Sequence, residues 1–281
     1  MATVQKKTVL ITGCSANGIG WTMAKVFRER GYYVFATLRD RANAGALTDL
    51  SEVEVLELDV TAPETIARCK ETVEKRTGGT LDVLVNNAGA EFVCPLLDVD
   101  IAEAKKLYDV NVWGPLAMVQ AFAPLLIRAK GIVANHGSIA SVLTMVWSGA
   151  YASAKAAEAR MSEVMRLELA PLGVRVVTVM VGSVNTPLFN RPGGRMKLRE
   201  DSYYYGVSEH AYKQRMVHQG ESMPVEPFAQ QLVDKILGAG RGPIWYGTFA
   251  TLVRFATWLF PQWYIDWSCN RDRGVELIKR P

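Results

Sequence analysis

Three residues in the middle of the chain, Ser138, Tyr151 and Lys155, have the types and the spacing for proton-transfer chemistry. Tyr151 and Lys155 are four residues apart, so on a helix their side chains share one face. A nearby ammonium favours the phenolate, and we predict that Lys155 lowers the pKa of Tyr151 from its ordinary value of about 10. Tyr151 is then a general acid or base, and the Ser138 hydroxyl can hold a substrate oxygen. The alternative is a solvated helix face with this spacing by chance.

A glycine-rich turn near the N-terminus has the surroundings of a dinucleotide site. The glycines are Gly13, Gly18 and Gly20. They follow a predicted buried strand at 9–11 and precede a predicted helix from 21 to about 31 and a second strand at 33–36. Glycines let the backbone approach a pyrophosphate, and a helix N-terminus offers unpaired N–H groups. We predict a dinucleotide site; the alternative is an ordinary tight turn.

Composition predicts an intracellular globular protein. With 281 residues, 49% of them hydrophobic and 21% charged, the chain can form one domain with a large core. The formal net charge is only +4, so no nucleic-acid partner is expected. The N-terminal residues run directly into a strand, so no signal peptide is expected. Cys14, Cys69, Cys94 and Cys269 lack metal-ligand spacing, and we predict reduced thiols and no metal.

Strand and helix patterns alternate along the rest of the chain. Further strands are predicted at 54–58, 81–85, 131–135 and 174–180, and helices at 63–77 (with Thr61 as N-cap), 101–126 and 151–169. This rhythm predicts an α/β fold, a single doubly wound parallel sheet with helices on both faces. Ligands bind such sheets at the carboxyl ends of the strands. The residues that follow those ends, and are expected on one rim, are Gly13, Asp59, Asn87, Ser138 and Gly182.

Together these features resemble the short-chain dehydrogenase/reductase family over about residues 5–240. The motifs that carry the resemblance are TGCSANGIG, Asp59, NNAG at 86–89, Asn111, Ser138, Tyr151, Lys155 and VGSVNTP. The resemblance implies a Rossmann-type fold in which Tyr151 gives a proton to a carbonyl and Lys155 holds the nicotinamide ribose. It also implies that Ser138 positions the carbonyl and that Asn111 anchors a water in a proton relay.

The resemblance further implies which residues hold a nicotinamide cofactor. Asn87, Ala88 and Gly89 would line the adenine-ribose side, Asp59 and Val60 would meet the adenine, and Val184 and Thr186 would bind the carboxamide. The full predicted set is Gly13, Ser15, Asn17, Gly18, Ile19, Gly20, Arg39, Asp59, Val60, Asn87, Ala88, Gly89, Tyr151, Lys155, Val184 and Thr186.

The end of the second strand favours NADP(H) over NAD(H). NAD enzymes of this fold place a carboxylate there for the ribose 2′-hydroxyl. This chain has Arg39, whose planar fork can pair with a 2′-phosphate. The adjacent Asp40 is the counter-argument, and a solvated loop charge is the alternative for Arg39.

Two departures from the family pattern point to a subgroup. Four residues, rather than three, separate Gly13 from Gly18, so we expect the loop to bulge. The usual Pro-Gly after the sixth strand is Val181-Gly182 here. Both features resemble the fungal 1-acyl-dihydroxyacetone-phosphate reductase-like subgroup, which also includes ketoreductases of secondary metabolism.

A substrate lid is expected at about 187–224. Its candidate groups are Arg191, Arg195, Lys197 and Arg199 for an anion and Tyr203, Tyr204 and Tyr205 for an aromatic substrate, with a solvated flap as the alternative. Met145, Val146 and Trp147 are predicted to line an apolar pocket, which suggests a bulky or lipophilic carbonyl compound.

The C-terminal extension, 241–281, is unusually hydrophobic beside the catalytic domain at 1–240. Its segment 243–267 contains four of the seven tryptophans but is interrupted by Arg254 and Pro261, which disfavours a membrane span. Three roles remain open: contact with a membrane surface, a dimer contact, or a cover over the substrate pocket.

The expected function is an NADPH-dependent carbonyl reductase or alcohol dehydrogenase acting on a small-molecule ketone or secondary alcohol, in secondary or lipid metabolism. The alternatives are non-redox chemistry on the same fold, such as cyclisation or dehydration, and a cofactor-sensing interaction protein. We expect a homodimer or homotetramer in the cytoplasm, with peripheral contact to a lipid droplet or endoplasmic reticulum membrane as a further expectation.

Overall fold

The computed structural model of the chain describes residues 5–187, 198–240 and 242–278, without the side chains of residues 214–219. Nine strands are formed: β1 (Thr8–Thr12), β2 (Tyr33–Leu38), β3 (Val53–Glu57), β4 (Val83–Asn86), β5 (Ile132–Ser138), β6 (Arg175–Val181), β7 (Val184–Asn185), β8 (Met223–Pro224) and β9 (Ile244–Tyr246). Seven of them pair in parallel in the order β3-β2-β1-β4-β5-β6-β9, and β7 pairs with β8 in a separate ladder.

Helices cover both faces of the large sheet. They are α1 (Ile19–Glu29), α2 (Pro63–Thr77), α3 (Ile101–Tyr108), α4 (Gly114–Ala129), α5 (Gly149–Leu169), α6 (Ser208–Gly220), α7 (Val225–Leu237), α8 (Ala250–Leu259) and α9 (Gln262–Asn270). The predicted doubly wound α/β fold is therefore confirmed. It forms because strands such as β1 have an apolar centre, Val9 to Ile11, and are buried at every position.

The core has one layer on each side of the sheet. On one side, Phe27 of α1 and Phe228 of α7 are fully buried against β1 and β2. On the other side, Phe122 of α4 packs with residues of α2 and α5. Close packing on both sides holds the central strands in place. It therefore also fixes where the loops that follow these strands begin.

Two local predictions need correction. The predicted helix at 101–126 is divided by a π-helical turn at Asp109–Trp113, which contains Asn111, and it continues to Ala129. Thr61 does not cap α2: the N-cap position is Ala62, which makes no side-chain cap, and the Thr61 hydroxyl donates to Asp59 instead.

The C-terminal extension adds to the sheet and then covers one end of it. Strand β9 was not predicted, because it is only three residues long and extends through pairing with β6. Gly182 permits this arrangement, since a Cβ atom there would lie 2.2 Å from the Thr248 carbonyl oxygen. Helices α8 and α9 then pack through Val253 and Ile265 onto Leu143, in the loop after β5.

Candidate active site

A cavity of about 640 Å³ lies at the carboxyl ends of the parallel strands. The loops after β1, β2, β3, β4, β5 and β6 form most of its wall, and helices α5, α6, α8 and α9 contribute further residues. A cavity of this size at this edge is where open α/β sheets bind their ligands.

The glycine-rich loop is shaped by left-handed backbone at its two ends. Gly13 has φ +75°, and Asn17, in the predicted bulge, has φ +60°. A turn joins them, in which the Gly18 N–H donates to the Ser15 carbonyl over 3.1 Å. The loop also rests on the chain after β2, where the Ala16 N–H donates to the Asn43 carbonyl over 2.8 Å. The extra residue is thus absorbed without loss of the turn.

Helix α1 begins directly behind this loop and has an open N-terminus. Gly18 is its N-cap and provides no side-chain cap, and among the described residues its first turn contains no acid. Gly20 lets α1 approach the neighbouring loop, because a Cβ atom there would lie 2.4 Å from Asn87 Nδ2. Unpaired N–H groups and the positive end of the helix dipole therefore face the cavity, which suits a phosphate.

The NNAG segment is pinned to its neighbours by side-chain hydrogen bonds. The Thr12 hydroxyl accepts from the Asn87 and Ala88 N–H groups at 3.0 and 2.9 Å. Asn87 Nδ2 donates back to the Thr12 carbonyl over 2.8 Å. These bonds hold the segment beside β1 and leave its backbone along the cavity wall.

Asn111 lies in the π-helical turn, directly behind the loop after β4. Its fully buried side chain forms two 2.8 Å hydrogen bonds with the Ala90 backbone, one to the N–H and one to the carbonyl. The side chain does not line the cavity. These two bonds fasten the π-turn to the loop after β4, and they use one donor and one acceptor position of the amide.

The end of β2 separates the two residues that bear on cofactor choice. Arg39 lines the cavity, whereas Asp40 does not. The Asp40 carboxylate instead caps the following 3₁₀ helix, accepting from the Ala42 N–H at 3.0 Å and from Asn43 Nδ2 at 3.1 Å. The charge presented to the cavity here is therefore positive.

Asp59 and Val60, after β3, line the cavity. Strand β3 pairs in parallel with β2, the strand that Arg39 follows. The Asp59 carboxylate accepts hydrogen bonds from the Thr61 N–H at 2.9 Å and from the Thr61 hydroxyl at 2.8 Å. This local turn fixes the loop where the adenine was predicted to lie.

Ser138, Tyr151 and Lys155 meet in the cavity wall. Ser138 ends β5, and its hydroxyl accepts from the Ala140 N–H at 3.1 Å. Tyr151 and Lys155 lie on consecutive turns of α5, with Lys155 buried. The Lys155 ammonium donates to the His136 carbonyl over 2.7 Å and to Glu158 Oε2 over 2.7 Å. The ion pair with Glu158 was not predicted, although an acid three residues after a lysine on a helix was a visible signal.

The prediction of a lowered Tyr151 pKa is wrong in its net direction. Burial raises the pKa of Tyr151 and outweighs the opposing effect of the Lys155 charge. The charges of Glu91 and Glu158 raise it further, while a hydrogen bond with Ser138 lowers it. Lys155 and Ser138 act in the expected direction, but the phenol of this buried tyrosine keeps its proton at neutral pH.

The opposite end of the cavity is apolar. Met145, Val146 and Trp147 line it, together with Val253 of α8 and Cys269 of α9. Trp147 has a left-handed φ of +68° and is held by an Nε1–H bond of 2.8 Å to the Arg273 carbonyl. A non-glycine residue in this conformation persists only where its surroundings fix it. The loop after β5 and the C-terminal extension therefore form one rigid wall.

Nearly all predicted cofactor residues line this cavity; Asn17 and Gly20 do not. Val184 and Thr186 line its wall after β6. Sequence reasoning missed Val110, His136, Tyr212, Phe249, Leu252 and Ser268, among other lining residues. Those on α8 and α9 carry no local motif, because only the folding-back of the extension brings them to the cavity.

The predicted lid is described only in part. Arg191, Arg195 and Lys197 lie outside the described residues. Arg199 is exposed and pairs with Asp201, its Nε lying 2.9 Å from Oδ1. Of the three tyrosines, Tyr203 and Tyr205 are exposed, whereas Tyr204 packs edge-on against Trp147 with 5.3 Å between ring centroids.

The chemistry of the wall fits a nicotinamide dinucleotide. The uncapped start of α1 suits a pyrophosphate, and Lys155 suits a ribose hydroxyl. Gly89 lies beside Lys155 in this part of the wall, since a Cβ atom at Gly89 would be 3.9 Å from Lys155 Nζ. Ser138, Tyr151 and Lys155 line the same cavity as this region and the apolar end.

The fold and the site together define a nicotinamide-dependent oxidoreductase. The short chain dehydrogenase family model matches residues 7–193, and the chain belongs to that family. It is 45% identical over 281 residues to Short-chain dehydrogenase cctT of Talaromyces islandicus, covering 97% of each chain. It is 37% identical to the NADPH-dependent 1-acyldihydroxyacetone phosphate reductase of Schizosaccharomyces pombe, covering 89% of this chain and 83% of that protein.

Solved structures agree on the fold. A short-chain dehydrogenase from Streptomyces avermitilis superposes with a TM-score of 0.76 at 28% sequence identity, covering 91% of this chain and 93% of that one. The resemblance to short-chain dehydrogenases, including fungal ones, is thus confirmed.

Proposed function

We propose that the chain is an NADPH-dependent carbonyl reductase for bulky or lipophilic ketones, reversible to oxidation of the matching secondary alcohols. One observation carries the proposal: Ser138, Tyr151 and Lys155 line the same cavity as the glycine-rich loop and Arg39 and as the apolar residues of the loop after β5 and α8. The name of the Schizosaccharomyces pombe relative supports NADPH as the coenzyme.

The residues divide the reaction between them. When bound, NADPH supplies a hydride to the carbonyl carbon. Tyr151 gives its phenolic proton to the carbonyl oxygen, so that the C=O double bond becomes a C–OH group. Ser138 holds that oxygen by a hydrogen bond, and the Lys155 charge stabilises the phenolate that remains. The apolar wall at Met145 and Val253 excludes water and holds the rest of the substrate.

The decisive experiment is NADPH consumption across a panel of carbonyl compounds with Tyr151→Phe. The panel spans acyl-dihydroxyacetone phosphate, steroids, aromatic polyketide-type ketones and small diketones, with NADH as a second coenzyme. We expect turnover of a bulky ketone and its loss in Tyr151→Phe, with NADPH binding retained. Tyr32→Phe is the control, because Tyr32 is buried at the start of β2, away from the cavity.

Turnover that survives in Tyr151→Phe would contradict the assignment of the proton donor. Binding of NADPH without consumption across the panel would favour the non-redox alternative. A wrong proton donor and a non-redox function can be told apart, because NADPH binding is measured separately, without a substrate.

We also propose that the outer side of the C-terminal extension contacts a membrane surface. Its exposed apolar side chains, called the aromatic face below, are Leu252, Phe255, Trp258, Leu259, Trp263 and Trp267. Arg254 and Arg271 lie over rings of this face, 6.0 Å from Phe255 and 5.6 Å from Trp267. Tryptophan beside arginine suits the boundary between acyl chains and anionic headgroups. Leu252 also lines the cavity, so a lipophilic substrate could enter from this face.

A further inference from the structure

A buried carboxylate stands beside the lysine of the active site. Glu158 is 3% exposed, and its Oε2 lies 2.7 Å from Lys155 Nζ on the same inward face of α5. A buried acid is costly unless it is paired; burial raises the pKa of Glu158, and the charge and hydrogen bond of Lys155 oppose this rise. The proposed reaction assigns Glu158 no task.

The bond to Glu158 restricts what the ammonium can do. Lys155 has three N–H donors. One is directed to Glu158 and a second to the His136 carbonyl on β5, both over 2.7 Å. At most one donor remains for the cavity, and its direction is set by the other two. Glu158 therefore helps to determine where Lys155 can form a bond with a ribose or with Tyr151.

The negative charge also alters the field at Tyr151. An unpaired lysine would draw the proton away from a neighbouring phenol, whereas a lysine paired with an acid does so less. Burial lowers the pKa of Lys155, but Glu158 and Tyr151 more than compensate and the net direction is upward. Lys155 thus stays charged in spite of its burial.

The other groups around the pair do not take over this role. Tyr151 is on α5, and Glu91, in the loop after β4, acts on Tyr151 and adds to the effect of Glu158. His136 on β5 is buried, and burial, with the Lys155 charge, lowers its pKa to about 3, so it is neutral in the working range. Glu158 is therefore the acid that directly neutralises Lys155.

We propose that Glu158 is a positioning residue that anchors Lys155 against β5 and partly neutralises it, so that Tyr151 remains the protonated acid that ketone reduction requires. The proposal rests on the proposed function and deepens it, because it explains how this site favours proton donation over proton removal.

The test is the pH dependence of Glu158→Gln, which keeps the size of the side chain and removes its charge. We expect the upper pH limit of kcat/KM for reduction to move down by about one unit, because Tyr151 would lose its proton more easily. Glu158→Asp keeps the charge and should retain the pH limit while lowering kcat. Glu163→Gln is the matched control: Glu163 is on the same helix but bonds Thr178 and Arg166.

A second readout does not depend on the substrate. Carbon-13 NMR of protein labelled at tyrosine Cζ, with Tyr151→Phe for assignment, reports the ionisation of Tyr151 directly. We expect Tyr151 to ionise at a lower pH in Glu158→Gln than in the unchanged protein. An unchanged ionisation with only a loss of thermal stability would overturn the proposal and leave Glu158 a structural residue. Failure of the reductase assignment would instead appear as absent turnover with a shifted Tyr151 ionisation.

Discussion

At the scale of single residues, Arg39 and Asp40 have opposite charges but separate tasks. The Asp40 carboxylate caps the helical turn that follows β2, whereas Arg39 lies in the cavity wall. The acid that argued for NAD in the sequence is thus occupied locally. What faces the expected position of the ribose is a guanidinium, which pairs with phosphate through two parallel hydrogen bonds.

Replacement of Arg39 by glutamine should therefore affect KM for NADPH and KM for NADH differently. We expect KM for NADPH to rise about 10- to 100-fold, since a hydrogen bond to a charged group contributes about 1.5–3 kcal/mol. KM for NADH should change little. Steady-state kinetics with both coenzymes measures this difference.

Arg41→Gln is the matched control, because Arg41 is an exposed arginine two residues further on that does not line the cavity. An equal rise in KM for both coenzymes in Arg39→Gln would show that Arg39 does not recognise the 2′-phosphate.

At the scale of elements, the loop after β5 and helix α9 act as one unit. Asn270, at the end of α9, accepts from the Val146 N–H at 2.9 Å and donates to the Thr144 carbonyl over 2.7 Å. These bonds set the distance between α9 and the residues that line the apolar end of the cavity. Trp147 is held from the same side by the Arg273 carbonyl.

Asn270→Ala should loosen this wall without disturbing the nucleotide end. We expect KM for the ketone to rise about tenfold and the free energy of unfolding to fall by about 1–3 kcal/mol, because two hydrogen bonds to the loop after β5 and one within α9 are lost. The dissociation constant for NADPH should stay the same. Kinetics, coenzyme titration and denaturant unfolding test the three expectations.

Gln262→Ala is the comparison variant, since Gln262 holds the loop after β5 by one long bond to the Thr144 hydroxyl, over 3.3 Å, and otherwise donates to Asp266 on its own helix. A parallel loss of NADPH affinity in Asn270→Ala would mean that α9 supports the whole cavity rather than its apolar end.

Sequence patterns predicted the elements that depend on local signals. Strands β1 and β6 were predictable because strands buried on both faces are continuous apolar runs in the sequence. The turn before α1 was predictable because its left-handed backbone favours glycine. The missed features depend on distant partners. Strand β9 extends only through pairing with β6, and the direction of the Tyr151 pKa shift depends on burial that no local pattern reveals.

At the scale of the whole molecule, the aromatic face is the most unusual surface. Trp258 and Trp263 expose 81% and 70% of their area. The opposite side of the same extension packs on the catalytic domain through Val253 and Ile265. An extension with a buried inner side and an exposed apolar outer side is expected to meet another apolar phase.

A double variant, Trp258→Ser with Trp263→Ser, should weaken binding to lipid vesicles. We expect the unchanged protein to sediment with vesicles containing anionic phosphatidylserine, and the double variant to lose most of this binding. Vesicles of phosphatidylcholine alone should bind less, because Arg254 and Arg271 would meet no anionic headgroup.

The control is Trp113→Ser, which alters an exposed tryptophan in the turn between α3 and α4. Light scattering measures the mass in solution and so tests the alternative of a dimer contact. If no form of the protein binds vesicles and the double variant halves the mass in solution, the aromatic face is a dimer contact.

The cavity is assembled from two distant stretches of the gene product. Its nucleotide end is built largely within residues 7–193, which match the family model, whereas Val253, Cys269 and Arg273 at its apolar end come from the last tenth or so of the chain. Mutations in the tail can therefore alter the apolar end of the cavity while the residues of the glycine-rich loop and of the loops after β2 to β4 stay unchanged. A tail exchanged between related enzymes, from β9 onward, would replace the part of the apolar wall that α8 and α9 supply and leave Met145, Val146 and Trp147 in place.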